Sequence, residues 1–276
     1  MPRLRFAYVL ILALVLLPTL GSATDLEPQT LNAFNRYIQA TETRINQEAA
    51  RPGVFLYIEG LAEPRLSAVL ASTRHGEIYM QQLETRDASG NVITAPSGLI
   101  HHWIGAVFIP GVHLNQVLNL VQDYDHHQDY YQPEVVRARL LHQDGNNYQI
   151  YYRLVKKKVI TVTLNTNHDV QYLPVDAAHC RSRSVATRIA EVVDAGKADE
   201  HEQPVGHDNG FLWRMNSYWR FEERDQGVFV EVESVSLTRD IPTGLAWLIK
   251  PFITSIPRES LLMTLGSTRS AVVSRR

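Results

Sequence analysis

The sequence contains only one cysteine, Cys180, so no disulfide bond can form within the chain. A chain of 276 residues can bury enough apolar surface to fold without one. A lone thiol can pair between chains, and Arg181 and Arg183 would lower its pKa if they lay close to it. We expect a buried or incidental cysteine in preference to a nucleophile.

The motifs of several enzyme classes are also missing. There is no G-x-S-x-G nucleophile elbow, no phosphate-binding P-loop, no G-x-G-x-x-G loop and no C-x-x-C pair. The densest group of metal-ligand residue types is Asp123, Asp125, His126, His127 and Asp129, but it lacks H-x-x-x-H or H-E-x-x-H spacing. We interpret this group as a solvated loop. The sequence therefore predicts no metal and no cofactor, and we assign no catalytic residue.

Neither sign of charge is in large excess, because 27 basic side chains stand against 29 acidic ones, which gives a net charge of −2. A nucleic-acid-binding surface would need a concentration of basic residues. The only basic run, Lys156-Lys157-Lys158, is better interpreted as a solvated hairpin end than as a patch for anionic membranes. We predict no nucleic-acid partner and no more than transient contact with a membrane. The oligomeric state stays open.

The only long apolar run, Phe6–Leu17, lies at the N-terminus. Arg3 and Arg5 precede it, and the small residues Gly21-Ser22-Ala23 follow it, as in a secretory signal peptide cut after Ala23. A membrane-spanning helix needs roughly 20 apolar residues, and this run is shorter. We predict export to the periplasm or the cell exterior. An uncleaved N-terminal anchor is the alternative.

The segment 24–98 begins with helical spacing over residues 28–49, and Pro52-Gly53 ends that helix. The apolar pattern then changes to alternation. It predicts short strands at Val54–Glu59, Leu66–Ser72 and Glu77–Glu84.

From Leu99 onward the pattern predicts one further domain, 99–276, made of a strand, a short helix, six strands and a long helix. A polar loop, Asp123 to Pro133, follows the short helix. Pro251 and Pro257 are expected to bend or interrupt the long helix. The predicted elements are Leu99–Ile109, His113–Tyr124, Glu134–His142, Tyr148–Val155, Val159–Leu173, Ser184–Ala195, Phe211–Glu223, Gly227–Thr238 and Pro242–Val273.

This order of elements resembles the START-like, or Bet v 1-like, helix-grip superfamily, also called SRPBCC. The resemblance is carried by the turn Pro110-Gly111, by Asp123-Tyr124-Asp125 continuing to Tyr130–Val135, and by the closing stretch Ile241–Leu265. It implies an α+β fold in which a curved antiparallel sheet wraps around the C-terminal helix. Residues 24–98 have no counterpart in it and form an N-terminal helix and β extension, either continuing the sheet or acting as a lid.

The resemblance also implies a cavity between sheet and helix that holds a hydrophobic or lipid-like molecule. Alternation along the last two strands and the helical stripe give an apolar lining. We weigh this cavity equally against a filled core. The candidate lining residues are Trp103, Trp213, Met215, Trp219, Phe221, Val230, Leu248, Ile249, Phe252, Ile253 and Ile256.

Polar candidates for the same cavity are His101, His102, Tyr152, Arg153 and Arg214. Adjacent strand residues face opposite sides, so His101 and His102 cannot both face the cavity. Two other functions stay open. One is a cyclase, aromatase or hydrolase that uses the same cavity, although a non-enzymatic role is favoured. The other is a structural envelope module with a filled core, for which residues 24–98 would be the interface.

Overall fold

The computed structural model describes residues 24–158, 160–240 and 246–275, and of residues 246–254 only the backbone. The predicted signal peptide lies outside the described residues. So do the side chains of Leu248, Ile249, Phe252 and Ile253. In the part of the chain that is described, no helix is both long and apolar enough to cross a membrane.

The N-terminal segment contains more helix than its sequence predicts. The helix predicted over 28–49 is confirmed, and the predicted strand at Glu77–Glu84 is present as a shorter one. The strands predicted at Val54–Glu59 and Leu66–Ser72 are wrong, because the first forms a 3-10 turn and the second lies in a helix. The elements are β1 Thr24–Asp25, α1 Pro28–Ala49, the 3-10 turn Tyr57–Gly60, α2 Arg65–Arg74 and β2 Tyr79–Gln82.

The elements after residue 98 follow the predicted order. Pro251 and Pro257 were expected to bend or interrupt the closing helix, but the helix continues through both, so neither interrupts it. The elements are β3 Gly98–Pro110, α3 Leu114–Val121, the 3-10 turn Tyr124–His126, α4 His127–Tyr130, β4 Val135–Asp144, β5 Asn147–Lys157, β6 Thr161–Pro174, β7 His179–Val193, β8 His201–Glu202, β9 His207–Asp208, β10 Arg214–Arg224, β11 Gly227–Arg239 and α5 Ala246–Ser274.

Nearly all the strands join one antiparallel sheet in the order β2-β3-β11-β10-β7-β6-β5-β4, with β8 beside β7. Apart from the two-residue strands β8 and β9, the strands that follow one another from β4 onward are neighbours in space, and the last strand, β11, returns to pair with β3. The two-residue strands β1 and β9 pair separately. We call the face of the sheet toward α5 the inner face and the opposite one the outer face.

Apolar side chains of the inner face pack against α5 and α3. Val107, Phe221 and Val230 belong to this core together with Leu261 and Leu265 of α5. Sheet and helix approach closely at Gly105 of β3, where an added Cβ would lie 2.6 Å from Leu265 Cδ1. A side chain at this position would displace the ends of the Leu265 and Met80 side chains, so glycine allows the close packing seen here.

The N-terminal segment covers the outer face. Phe34 and Tyr37 of α1 pack with Leu237 of β11 in one apolar cluster, and Leu56 and Ile58 pack with β3 and β11 in another. Strand β2 adds to the edge of the sheet beside β3. Residues 24–98 therefore extend the sheet by one short strand and bury its outer face over β3, β10 and β11.

A network of charged side chains is buried under this cover. Glu233 of β11 accepts hydrogen bonds from His102 Nε2, at 2.7 Å, and from Arg44 of α1. Arg44 also pairs with Glu48, whose second oxygen accepts Arg220 Nη2 at 2.9 Å. Buried charges are costly unless they are paired, and here each carboxylate is paired with a cationic or titratable side chain.

Glu231 also belongs to this network, through Arg220. Its carboxylate lies 3.3 Å from Arg220 Nη1 and accepts the backbone N–H groups of Tyr57, at 2.9 Å, and Ile58, at 3.2 Å. Burial raises the pKa of Glu231 to about 7 despite these partners. Burial also opposes ionisation of Glu233, but the His102 hydrogen bond and the charge of Arg44 outweigh it and lower the pKa of that carboxyl.

Candidate functional site

A cavity of about 360 Å³ lies between the inner face of the sheet and the helix α5. Its walls come from β5, β6, β7, β10 and β11, from α5, and from the segment that joins α3 to β4. Most of the lining side chains are apolar, among them Leu164, Met215, Trp219 and Leu261. Concave sites with mostly apolar walls and a few polar groups are the usual form of small-molecule pockets.

Strand register orders the polar groups from one end of the cavity to the other. The charged lining residues Glu134, Lys156, Arg239 and Asp240 lie at one common end of the strands, which we call the rim. Lys156 forms an ion pair with Glu134. No other residue of the described lining is an Asp, Glu, Lys or Arg. Charge is therefore confined to the rim.

Hydroxyl groups lie in the middle of the cavity. Ser184, Ser217 and Ser234 are direct cross-strand neighbours on β7, β10 and β11, and all three line the cavity. We call these three the serine row. Ser236, one step nearer the rim, lines the cavity as well. Neighbouring strands lie about 4.8 Å apart, so the row spans roughly 10 Å across the sheet.

Phenol groups line the end beyond the serine row. Tyr124 and Tyr172 lie with their hydroxyl oxygens 3.0 Å apart, and Tyr172 donates to the carbonyl oxygen of Val121 at 3.2 Å. Burial raises the pKa of both phenols, and it raises the pKa of Tyr131 to about 12. These groups are neutral near pH 7 and act only as hydrogen-bonding partners.

Two histidines in the walls are neutral as well. Burial lowers the pKa of His127 and of His168 to about 4 in each case. His127 Nδ1 lies 2.7 Å from the Tyr152 hydroxyl, and His168 Nε2 lies 3.0 Å from Thr166 Oγ1. Beyond the rim the cavity therefore offers uncharged donors and acceptors.

No protein-family model matches the sequence, and no curated protein sequence matches it either. Similar solved structures include a STAR-related lipid transfer protein from Xanthomonas axonopodis, with 16% identity over 69% of this chain and 98% of that one and a TM-score of 0.44. The Zhui aromatase/cyclase from Streptomyces sp. R1128 has 11% identity over 64% of this chain and 96% of its own, with a TM-score of 0.41. Human STARD10 has 8% identity over 77% of this chain and 80% of its own, with a TM-score of 0.41.

The first core strand pairs with the last, the intervening strands follow in sequence order, and the closing helix lies over their inner face. The fold is an α+β helix grip. The predicted fold class is thereby confirmed. The identities and TM-scores of the similar structures are too low to carry any argument about what this helix-grip protein binds.

Some predicted lining residues do lie on the cavity wall. They are Met215, Trp219 and Ile256, with Tyr152 among the polar candidates. Trp103, Phe221 and Val230 lie on the same inner face but belong to the packed core beside the cavity. A role of any of these residues in ligand binding stays a prediction.

Other predicted residues do not line the cavity. Trp213 precedes β10 and packs under α1, where its Nε1 donates to Asp208 at 2.9 Å. His102 lies on the outer face against Glu233. Arg153 and Arg214 follow the same alternation away from the cavity: the first pairs with Glu200, and the second donates to the carbonyl oxygen of Trp213.

His101 is the member of its pair that faces inward, as strand alternation requires. Its Nε2 lies 3.0 Å from Thr238 Oγ1. Burial lowers the pKa of His101 to about 4. It is not among the residues that line the cavity.

The group of residues considered for a metal is dispersed. His126 Nδ1 lies 2.7 Å from Asp123, Asp125 accepts the backbone N–H of Leu140, and His127 turns into the cavity wall. Within the described residues no three His, Cys, Asp or Glu side chains are placed to hold an ion. Cys180 is buried, and burial raises the pKa of its thiol, so nothing activates it as a nucleophile.

Sequence reasoning missed the serine row, His168 and the phenols of Tyr124, Tyr131 and Tyr172. One signal was present, since Ser234, Ser236 and Thr238 alternate with Val235 and Leu237 on a strand whose earlier inner positions are all valine. A switch from valine to hydroxyl residues on one face marks where that face stops being packed core. The serines of β7 and β10 show no comparable pattern.

Proposed function

We propose that the protein binds an apolar or amphipathic small molecule, without covalent attachment, in the cavity between the sheet and α5. The observation that carries this proposal is a volume of about 360 Å³ left open inside a mostly apolar wall. Desolvation supplies the affinity, at about 25 cal/mol for each Å² of apolar surface removed from water. The neutral polar groups of the wall then orient the molecule.

Native mass spectrometry of protein purified from its own host tests this proposal. We expect a bound lipid-like molecule that organic solvent extracts. Ser217→Phe should eliminate it, because the new ring would fill the middle of the cavity. Val175→Phe is the matched control, since Val175 is 52% exposed on the surface. Ligand-free native protein that also takes up no added hydrophobic probe would contradict the proposal.

We propose further that the mature protein acts outside the cytoplasm. The basic residues, apolar run and small residues of 1–23 support this, as a signal peptide cut after Ala23. The intact mass of the protein from its host should match a chain that begins at Thr24. A full-length mass in a membrane fraction would support the uncleaved anchor.

Catalysis in the same cavity is less well supported. A general base works best when its pKa lies near the working pH. His127 and His168 are the only described imidazoles that line the cavity, and both have a pKa of about 4. They are weak bases at neutral pH. The low pKa values of these two histidines therefore favour binding over a cyclase, aromatase or hydrolase that would use one of them as a base.

A structural envelope module is also less well supported. That reading needs a filled core, whereas the structure contains a cavity.

A further inference from the structure

We propose that the cavity selects a neutral, oxygen-bearing ligand, with a hydroxyl, carbonyl or ester group, and rejects ionised ones; this rests on the proposed binding function. The serine row is the site that receives the oxygen. The proposal concerns the chemical class of the ligand and the residues that discriminate it.

The hydroxyls of the row have spare hydrogen-bonding capacity. Ser217 and Ser234 form no side-chain hydrogen bond with any described residue, and both keep part of their surface accessible inside the cavity. Ser184 has only a long contact of 3.5 Å to His168 Nδ1. A hydroxyl can donate one hydrogen bond and accept two, so three neighbouring serines can bind an oxygen as donor or as acceptor.

The surroundings of the row are largely apolar. Val170 pairs with Ser184, Met215 and Trp219 flank Ser217 along β10, and Val232 is the next inward-facing residue beside Ser234 on β11. The other two neighbours on this face that line the cavity, Ser182 and Ser236, are uncharged hydroxyl residues. Hydrogen bonds in such surroundings carry more weight than in water, and a polar group left without a partner costs more. A ligand without oxygen would leave the serines unpaired.

The lack of charge beside the row gives the second half of the proposal. The four charged lining residues lie at the rim, and the nearest titratable wall group, His168, is neutral. An ionised carboxylate or ammonium buried beside the serines would meet no opposite charge. Burying an unpaired ion is far more costly than burying a hydroxyl.

A series of two-ended molecules tests this, because one end must enter the cavity in either orientation. The three probes are 1,12-dodecanediol, dodecanedioate and 1,12-diaminododecane, each titrated below its aggregation limit at pH 7.5 into delipidated full-length mature protein. Isothermal titration calorimetry should show the diol binding about tenfold or more tighter than either charged probe.

The double variant Ser217→Ala/Ser234→Ala should lose about fivefold to tenfold of the affinity for the diol, since each hydroxyl contributes a hydrogen bond of modest net strength. Ser89→Ala, in the exposed turn before β3, is the matched control and should leave it unchanged. An unchanged affinity in the double variant would overturn the role of the row.

The outcomes separate the two proposals. Equal or tighter binding of dodecanedioate or diaminododecane would overturn the selection for neutral ligands and leave the binding function intact. Binding of none of the three probes would overturn both.

Discussion

The two faces of strand β11 treat polar side chains in opposite ways. On the outer face Glu231 and Glu233 are almost completely buried, and each is bound by a charged or titratable side chain. On the inner face of the same strand Ser234 and Ser236 line a cavity and carry no charge. A residue and its neighbour in sequence therefore face two different electrostatic environments.

The difference follows from what covers each face. The outer face is covered by the chain's own α1 and 3-10 turn, so Arg44 and the backbone N–H groups of Tyr57 and Ile58 are always present. Charges can be buried there because their partners are fixed in place. The inner face has an open volume, where a buried ion would lack a partner whenever the cavity was empty. Neutral hydroxyls tolerate both the empty and the filled state.

The largest expected effect is on the outer face. Arg220→Met would leave Glu48 and Glu231 without their shared guanidinium. Removing one partner of a buried ion pair costs about 3–5 kcal/mol, and we expect a loss of that size in the free energy of unfolding in urea. Arg86→Met, which removes an exposed pair with Glu84, should cost less than about 1 kcal/mol. Equal losses in the two variants would show that burial does not distinguish them.

The next largest expected effect is the loss of stability at low pH caused by His168 on the inner face. The pKa of His168 is about 4 in the folded protein and near 6.5 in the unfolded chain, so the unfolded state takes up the proton first. The contribution of neutral His168 to the free energy of unfolding is complete above pH 6.5. It is lost as the pH falls toward 4, by up to about 1.4 kcal/mol per pH unit. The free energy of unfolding, measured in urea at a series of pH values, should therefore decrease less between pH 6.5 and pH 4 for His168→Gln than for the native protein. Parallel curves would contradict the burial of a neutral imidazole.

Glu231 on the outer face should show the opposite dependence on pH. Its folded pKa of about 7 lies above the ordinary value of 4.5, so the folded state keeps a proton that the unfolded chain has released. The stabilisation is complete below pH 4.5 and is lost as the pH rises through 7. We expect the free energy of unfolding of Glu231→Gln to increase relative to that of the native protein as the pH rises from 5 to 8. A constant difference would mean that Glu231 is already ionised at pH 5.

The smallest expected effect is at the serine row. Ser217→Ala removes a hydroxyl that no described residue binds, so the free energy of unfolding should stay within about 0.5 kcal/mol of the native value or rise slightly. Thr166→Val, which removes the partner of His168 Nε2, should cost about 1 kcal/mol or more in the same assay. A large loss in Ser217→Ala would reveal that the hydroxyl is bound within the protein.

The part of the fold after residue 98 could be predicted because its signals are local. Alternation places Met215, Trp219 and Val230 on one face and Arg220 and Glu231 on the other, and the structure shows the same division. The extent of the strands was harder to predict. Strand β7 begins at His179, five residues before its predicted start at Ser184, because a run containing Arg181 and Arg183 has no apolar alternation.

The structure of the N-terminal segment, and the surface that it covers, were harder to predict for two physical reasons. Leu66, Val69 and Leu70 recur at helical intervals over only ten residues, and such a short run can also be interpreted as a strand. The burial of the outer-face acids Glu231 and Glu233 could not be predicted, because nothing in the sequence shows that α1 lies over them. Arg44 and Glu48, one helical turn apart, were the only hint of a charged inward face.

Gly105 has a consequence for the space beneath α5. Because it has no side chain, Leu265 Cδ1 and Met80 Sδ can both approach its backbone closely. In Gly105→Ala the new methyl group would displace these two side-chain ends, and through Leu265 it would alter the packing under the C-terminal half of α5. We expect this single substitution to reshape the cavity without altering any residue of its wall.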